Sequence, residues 1–305
     1  MNPNEFTLQE IYLDVADNQK LYVHEWGNPK VEPLVYLHGG PGNGCDDGDY
    51  KKFNPSVHRV IFFDQRGSGK STPKNDFKNN ITDKLVEDLE VIRRHFNLDK
   101  LILVGSSWGS TLALCYGIKH PDHTKALIID GVFTNTQAEY DWLEKAKWKT
   151  FYPEIWQETL KIIPKEYQDN PSGYYYEKFE DSLSDKKKLL YDYISIEISL
   201  LKLDDRYVMP KFDDFDETGP AIELNYMKNR CFIDENYIVD NVAKLSMPVY
   251  IIQGRYDMIC PPEAAYHLAQ KLPNAELIYT INGHLKQHEA RNILTIQLNR
   301  ALSNA

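Results

Sequence analysis

The stretch LILVGSSWGSTLAL, residues 101–114, decides the fold prediction because it places a serine between an apolar run and a helix candidate. The run LILV is continuously apolar, which is typical of a strand buried on both faces of a sheet. The pattern G-x-S-x-G fits one frame only, Gly105, Ser107 and Gly109. A sharp strand-to-helix turn needs small residues at both glycine positions, because bulkier side chains would clash. We predict that Ser107 is a nucleophile at a helix N-terminus; the alternative is an ordinary glycine-rich turn.

Strand and helix patterns alternate along the chain on both sides of this motif. Residues 82–96 place apolar side chains at helical spacing, with Thr82 as the expected N-cap. Strands that alternate with helices predict an α/β fold with a mostly parallel sheet flanked by helices. The predicted strands are 21–26, 34–40, 59–65, 101–105, 126–133, 248–254 and 276–280, and further helices are predicted after Ser107, at 262–272 and at 288–302.

The composition changes after Phe133 and changes back near residue 246. Residues 134–245 are rich in Tyr, Trp, Lys and Glu and contain no apolar run of strand length. We predict that this segment is a helical cap inserted into one α/β core, whose two parts are residues 1–133 and 246–305. An insertion at the carboxyl end of a strand lies above the ligand crevice of such a sheet.

Charge and composition exclude several classes of protein. The formal charge of −10 disfavours a nucleic-acid binder, which needs basic surface to neutralise phosphates. No apolar run approaches the roughly 18 residues of a membrane span, and the first ten residues do not resemble a signal peptide. The four cysteines form no CxxC pair, so we expect free thiols in a cytoplasmic protein and no disulfide or zinc site. The oligomeric state stays open.

An aspartate and a histidine follow later strands in the order that a serine hydrolase of this architecture requires. Asp257 comes directly after the predicted strand VYIIQ, and His284 comes directly after ELIYT. We predict that Asp257 orients the imidazole and that His284 takes the proton from Ser107. His288 is the competing histidine, but it falls in the predicted final helix.

The loop HGGPG, residues 38–42, is the candidate for binding a developing oxyanion. It follows a predicted strand and offers backbone N–H groups without side chains in the way. We predict that the amides of Gly40 and Trp108 are the two donors, Trp108 being the residue after the nucleophile. Neither G-x-G-x-x-G nor GxxxxGK[ST] occurs, so we expect no nucleotide, and we expect no other cofactor or metal.

These motifs together resemble the proline iminopeptidase family of α/β-hydrolases. The resemblance rests on HGGPG at 38–42, DQRGSGKSTP at 64–73, GSSWGSTLAL at 105–114 and GRYDMICPP at 254–262. It implies an α/β-hydrolase fold with an inserted cap. It also implies a serine peptidase that releases N-terminal residues, preferably proline, from small peptides with a free N-terminus.

The resemblance also implies how the substrate is recognised. Family members bind the substrate's amino group with two glutamates of the cap. The segment YDYISIEISLLKL points to Glu197 and the segment AIELNYM points to Glu223. Phe133 stands where the family has an aromatic residue, which implies an apolar wall for the proline ring.

Three positions depart from the family pattern. Ser106 stands where the family has glycine, Asp130 where it has arginine, and Leu285 where it has a small residue. The alternatives are therefore an esterase, lactonase or amino-acid amidase with the same catalytic groups, or a non-catalytic binding module. Hydrolases of this fold with an aspartate nucleophile are disfavoured by Ser107.

Overall fold

The computed structural model describes residues 3–201, 203, 209–285 and 288–303. These residues form one eight-stranded sheet in the order β1-β2-β4-β3-β5-β6-β7-β8. The first three strands in this order pair antiparallel, and every later pair is parallel. The strands are β1 (Thr7–Val15), β2 (Gln19–Gly27), β3 (Pro33–Leu37), β4 (Arg59–Phe63), β5 (Leu101–Ser106), β6 (Thr124–Asp130), β7 (Val249–Gly254) and β8 (Ala275–Thr280).

Helices cover both faces of the sheet, which explains the continuously apolar strands at its centre. Alternate residues of β3 enter different cores: Val35 and Leu37 face one, whereas Leu34 and Tyr36 face the other. The first core is closed by α2 (Thr82–His95), α3 (Trp108–Lys119) and α10 (Pro262–Lys271), and the second by α1 (Asp47–Tyr50) and α11 (His288–Ser303). The predicted fold class is confirmed by this architecture.

The described residues between β6 and β7 contain helices and no strand. They include a separate apolar cluster around Tyr175, Leu190 and Leu224. The helices are α4 (Gln137–Glu144), α5 (Pro153–Thr159), α6 (Pro171–Glu180), α7 (Lys186–Leu200), α8 (Thr218–Lys228) and α9 (Tyr237–Asn241). The division of the chain at residues 134 and 245 stays a prediction.

Two local features differ from the sequence prediction. Thr82 is the first residue inside α2 and not its N-cap, a position that Ile81 occupies. The Thr82 hydroxyl donates instead to the carbonyl of Cys231, so a tertiary contact outweighs the local cap. Strand β1 was not predicted, because it lies at the sheet edge and most of its side chains are exposed or half-buried. No helix within the described part of the chain is long and apolar enough to cross a membrane.

Candidate active site

Ser107 occupies a sharp turn between β5 and α3. Its backbone angles, φ 56° and ψ −126°, are unusual for a residue with a side chain and cost about 1–3 kcal/mol. A Cβ on Gly105 would lie 2.2 Å from the carbonyl oxygen of Gly109, and a Cβ on Gly109 would lie 2.1 Å from that of Leu37. Both glycines of the motif are therefore required by close backbone approach, as the sequence predicts.

Asp257 and His284 lie in the turns after β7 and β8, at the carboxyl edge of the sheet. The Asp257 Oδ2 atom is 2.8 Å from Nδ1 of His284, and Asp257 is 1% exposed. Its other oxygen accepts the backbone N–H groups of Ile259 and Cys260, at 2.9 and 2.8 Å. The carboxylate is thus held on one side by the backbone and orients the imidazole on the other. The competing histidine, His288, is the first residue of α11.

Ser107 and His284 flank the same end of β6. The Ser107 N–H donates to the Asp130 carbonyl at 2.9 Å. A Cβ on the next residue, Gly131, would lie 3.0 Å from Cε1 of His284, so only a bare Cα fits there. No direct hydrogen bond joins the Ser107 hydroxyl to His284 among the described residues, and that hydroxyl interacts with the thiol of Cys260. Catalytic hydrogen bonds are often long until a substrate is bound.

The surroundings of His284 alter the pKa of its imidazole. Burial lowers this pKa, but the negative charges of Asp257, Glu197 and Asp130 and the hydrogen bond that the imidazole donates to Asp257 outweigh it and raise the pKa above its ordinary value. An imidazole with a raised pKa in the folded state stabilises the fold most below about pH 6.5, the unfolded value. That contribution is lost as the pH rises through the higher folded-state pKa.

This shift predicts a pH dependence that can be measured. A general base must be neutral, so activity should fall as the pH drops through the raised pKa of His284. We expect the acid limb of kcat/KM to have its midpoint above about 6.5, the value for a free histidine. Steady-state kinetics between pH 5 and 9 with an arylamide substrate would measure it. A midpoint below that of free histidine would contradict the prediction.

Two backbone amides near the serine turn make no hydrogen bond to the described part of the chain. Trp108 begins α3, where the first N–H groups have no acceptor within the helix. Neither its N–H nor that of Gly40 donates to another described residue. Gly40 has φ +103° and a Cβ there would lie 2.8 Å from the Gly42 nitrogen. A Cβ on the preceding Gly39 would lie 3.9 Å from Ser107 Oγ, so this loop lies directly beside the serine.

One pocket joins Ser107 to the helices between β6 and β7. It encloses about 910 Å³, including solvent space at its mouth. Six residues selected from the sequence line it: Ser107, Gly40, Trp108, Phe133, Glu197 and Glu223. Aromatic side chains that the sequence did not indicate as site residues complete its wall, namely Trp148, Tyr175, Tyr176 and Tyr193.

Glu197 and Glu223 form a carboxyl pair in this pocket. Glu223 is 4% exposed, and the Tyr193 hydroxyl donates to its Oε1 at 3.2 Å. Burial raises the pKa of Glu223 well above its ordinary value; the adjacent Glu197 adds to this effect, and Tyr193 opposes it. Two adjacent carboxylates that are shielded from water repel each other. A cation between them would offset that repulsion and favour the ionised form of Glu223.

Phe133 forms part of the apolar wall between the serine and α4. It is 6% exposed, and its ring meets the edge of Tyr140 at a centroid distance of 5.6 Å. Its carbonyl accepts the Thr111 hydroxyl at 2.7 Å, and its N–H donates to Ser110 Oγ at 3.2 Å. The ring is therefore fixed by the backbone on both sides, and presents a rigid apolar surface to the pocket.

Sequence reasoning did not select Tyr193, although a usable signal was present. Tyr193 precedes Glu197 by four residues on α7, so helical spacing places the two side chains on the same face. Trp148 carried no such signal, because its position depends on how the short helices after α4 pack. The Ser106 and Asp130 departures were each noted, but their direct contact, at 2.6 Å, follows only from the strand register.

One group of described residues has the spacing of metal ligands, and it lies away from this pocket. Ligand atoms of Glu90, His120 and His123 are all within 4.8 Å of one another. Arg93 already binds both carboxylate oxygens of Glu90, at 2.7 and 3.0 Å. The two histidines follow the C-terminal end of α3, whereas Ser107 precedes its N-terminus, about 18 Å away along the helix.

Known proteins resemble this chain at two levels. Residues 32–290 match the family model described as alpha/beta hydrolase fold. Solved structures agree: an esterase from Exiguobacterium antarcticum covers 97% of this chain and all of its own, with a TM-score of 0.66. Its sequence identity is 19%, so this likeness concerns the fold alone.

Curated relatives define the family more narrowly. A putative proline iminopeptidase of Mycoplasma genitalium is 38% identical, covering 94% of this chain and 95% of its own. The proline iminopeptidase of Arabidopsis thaliana is 35% identical over 87% of this chain and 72% of its own. That of Xylella fastidiosa is 32% identical over 92% of both. These matches confirm the predicted resemblance, and the chain belongs to the proline iminopeptidase family of α/β-hydrolases.

Proposed function

We propose that this protein is a serine aminopeptidase that releases N-terminal residues, preferably proline, from small peptides. The observation that carries the proposal is that Ser107 and the carboxyl pair of Glu197 and Glu223 line one pocket. A nucleophile alone would suit any acyl-transfer enzyme. Carboxyl groups in the same pocket suit a substrate whose cleaved bond is next to a positive charge.

The proposed chemistry proceeds through an acyl-enzyme. The Ser107 oxygen attacks the carbonyl carbon of the first residue while His284 takes the hydroxyl proton. His284 then gives that proton to the leaving amine as the peptide bond breaks. Water, deprotonated by the same imidazole, attacks the ester and releases the amino acid. Asp257 holds the imidazole in the tautomer that the first step needs, and stabilises the imidazolium that forms.

The tetrahedral intermediates carry a negative oxygen that needs hydrogen-bond donors. We assign this role to the amides of Gly40 and Trp108, residues that line the same pocket as Ser107. They are part of the backbone, so they are already aimed before the reaction begins. Loss of one such donor in other enzymes costs about 3 kcal/mol of transition-state stabilisation.

The carboxyl pair supports recognition of a free N-terminus. An ammonium group removed from water costs several kcal/mol unless anionic partners meet it. Glu197 and Glu223 supply two, and Tyr193 holds the second by its hydroxyl hydrogen bond. With the amine fixed there, the first peptide carbonyl is the one presented to Ser107, which makes the enzyme an exopeptidase.

The proline preference and the size limit follow from the same pocket, and the location follows from the cysteines. Phe133 and its aromatic neighbours would pack against the pyrrolidine ring of proline. The predicted cap, residues 134–245, would cover the pocket and restrict it to small peptides. We also propose a cytoplasmic location, because the four cysteines are free thiols in the structure, as in reducing compartments.

The second candidate is an esterase of the same fold. The pocket wall is largely apolar, which would also suit a simple acyl ester. A side-by-side panel of prolyl arylamide, alanyl arylamide and butyryl ester separates the two. The aminopeptidase assignment predicts the highest kcat/KM for the prolyl compound; a preference for the butyryl ester would favour the esterase.

A further inference from the structure

Ser106 and Asp130 form a partly buried polar contact next to the predicted nucleophile. They are register partners at the carboxyl ends of β5 and β6. The Ser106 hydroxyl donates to Asp130 Oδ1 at 2.6 Å, and Asp130 is 6% exposed. The main-chain carbonyl of Asp130 accepts the Ser107 N–H at 2.9 Å. Asp130 therefore makes two hydrogen bonds to the serine turn: its carbonyl accepts from the Ser107 N–H, and its carboxylate accepts from the Ser106 hydroxyl.

The same residue lies beside the imidazole. Gly131, its neighbour in the chain, touches the His284 ring so closely that a Cβ would be 3.0 Å from Cε1. Acidic side chains from three elements face this ring: Asp257 after β7, Glu197 on α7 and Asp130 on β6. Asp257 has the direct hydrogen bond. Asp130, at the end of β6, adds negative charge to the surroundings of the imidazole.

The surroundings of Asp130 suit a charged carboxylate. The Ser106 hydroxyl donates to it, and the described groups that its charge affects include the His284 imidazole, the Lys52 ammonium and the Tyr36 phenol. Lys52 donates to Asp49 Oδ1 at 2.8 Å, so its ion pair is with Asp49, and its charge acts on Asp130 over a longer range. A hydroxyl donor and a facing cation favour the ionised form of a buried acid.

We propose that Asp130, supported by Ser106, is a positioning residue: it fixes the serine turn and adds a further negative charge near His284. The inference rests on the proposed function, since it adds a residue to that site. When His284 takes the Ser107 proton it becomes an imidazolium, which a nearby buried negative charge stabilises. The same charge makes the free imidazole bind protons more readily at low pH.

The variant Asp130→Asn tests the charge, because asparagine has the same shape and keeps an oxygen that can accept from Ser106. The rate of serine labelling by a fluorophosphonate, measured against pH, reports on His284 without any peptide substrate. We expect the acid limb to move down by about 0.5 pH unit and the plateau rate to fall about threefold. An NMR titration of the His284 ring proton should move in the same direction. Asp122→Asn, an exposed residue in the turn before β6, is the control and should change neither.

Ser106→Ala tests the other half of the proposal and covers the case in which Asp130→Asn fails to fold. It keeps the negative charge but removes the hydroxyl that ties the serine turn to β6. We expect the plateau labelling rate to fall about threefold while the acid limb stays within about 0.2 pH unit.

Each outcome decides a different claim. If Asp130→Asn leaves both the acid limb and the His284 titration within about 0.1 pH unit of wild type, the charge role is wrong. An unchanged plateau in Ser106→Ala contradicts the positioning role. If wild-type protein is not labelled at all, the proposed serine chemistry fails, while the NMR titration still decides whether Asp130 acts on His284.

Discussion

Replacing Ser107 with alanine is expected to lower kcat for a prolyl arylamide by at least about 10⁴-fold, because no other group can form the acyl-enzyme. The folded state should be retained, since alanine meets the same positive φ and occupies less space. Steady-state kinetics measures the loss, and thermal unfolding checks the fold. Fluorophosphonate labelling of the variant should be absent.

Ser110→Ala is the matched control for this experiment. Ser110 is buried three residues further on, where its hydroxyl donates to the Ser107 carbonyl at 2.6 Å. Its removal should cost about 1–3 kcal/mol of stability, since the Phe133 N–H loses its acceptor. Labelling should nevertheless persist. If labelling disappears in Ser110→Ala but survives in Ser107→Ala, the nucleophile is Ser110 and the assignment to Ser107 is wrong.

Replacing Glu197 with glutamine is expected to reduce kcat/KM for a prolyl arylamide by about 100-fold. Removing one partner of a buried charge pair costs about 2–5 kcal/mol, and glutamine keeps the size of the side chain. Glu223→Gln should have an effect of the same order, because both carboxyl groups line the pocket beside Tyr193. Steady-state kinetics at the pH optimum of each variant measures the change.

The glutamate variants have two controls: a variant of an exposed glutamate, and labelling by a reagent that has no amine. Glu166→Gln changes an exposed glutamate in the turn Lys165–Tyr167 and should leave kcat/KM unchanged. A fluorophosphonate without an amine should label Glu197→Gln at close to the wild-type rate. Equal losses in labelling and in peptidase activity would mean that Glu197 supports the fold or the catalytic serine, and would sink its role in amine binding.

The central strands and the serine turn could be predicted from sequence because burial on both faces and close backbone approach restrict which residues can occur there. Strand β3 is buried at every position, so its apolar run was unmistakable. Glycine is required at 105 and 109 because a Cβ there would lie 2.2 and 2.1 Å, respectively, from a backbone carbonyl oxygen. Strand β1 lacked such a signal, because an edge strand exposed to solvent needs few apolar residues.

The substrate-recognition residues could not be derived from local patterns. The chain has 45 acidic residues, and nothing in the sequence around Glu197 or Glu223 separates them from solvated glutamates on a helix face. Only the family resemblance selected them. Their approach to each other depends on the packing of α7 against α8, a tertiary contact that has no sequence period.

The contact between Ser106 and Asp130 could not be predicted from the sequence either, although the two residues are only 24 positions apart. Both residues were visible as departures from the family pattern, and each was considered alone. Their pairing depends on β5 and β6 being neighbours in a particular register. The two departures are coupled in the structure, because the hydroxyl of one is the donor for the carboxylate of the other.

The most direct test of the central claim compares prolyl arylamide with its N-acetyl derivative on wild-type enzyme. Acetylation removes the positive charge and leaves the cleaved bond unchanged. If Ser107 acts on substrates held by Glu197 and Glu223, kcat/KM should be at least about 100-fold lower for the blocked compound. Values for the two compounds that agree within about threefold, less than 1 kcal/mol, would contradict the aminopeptidase assignment.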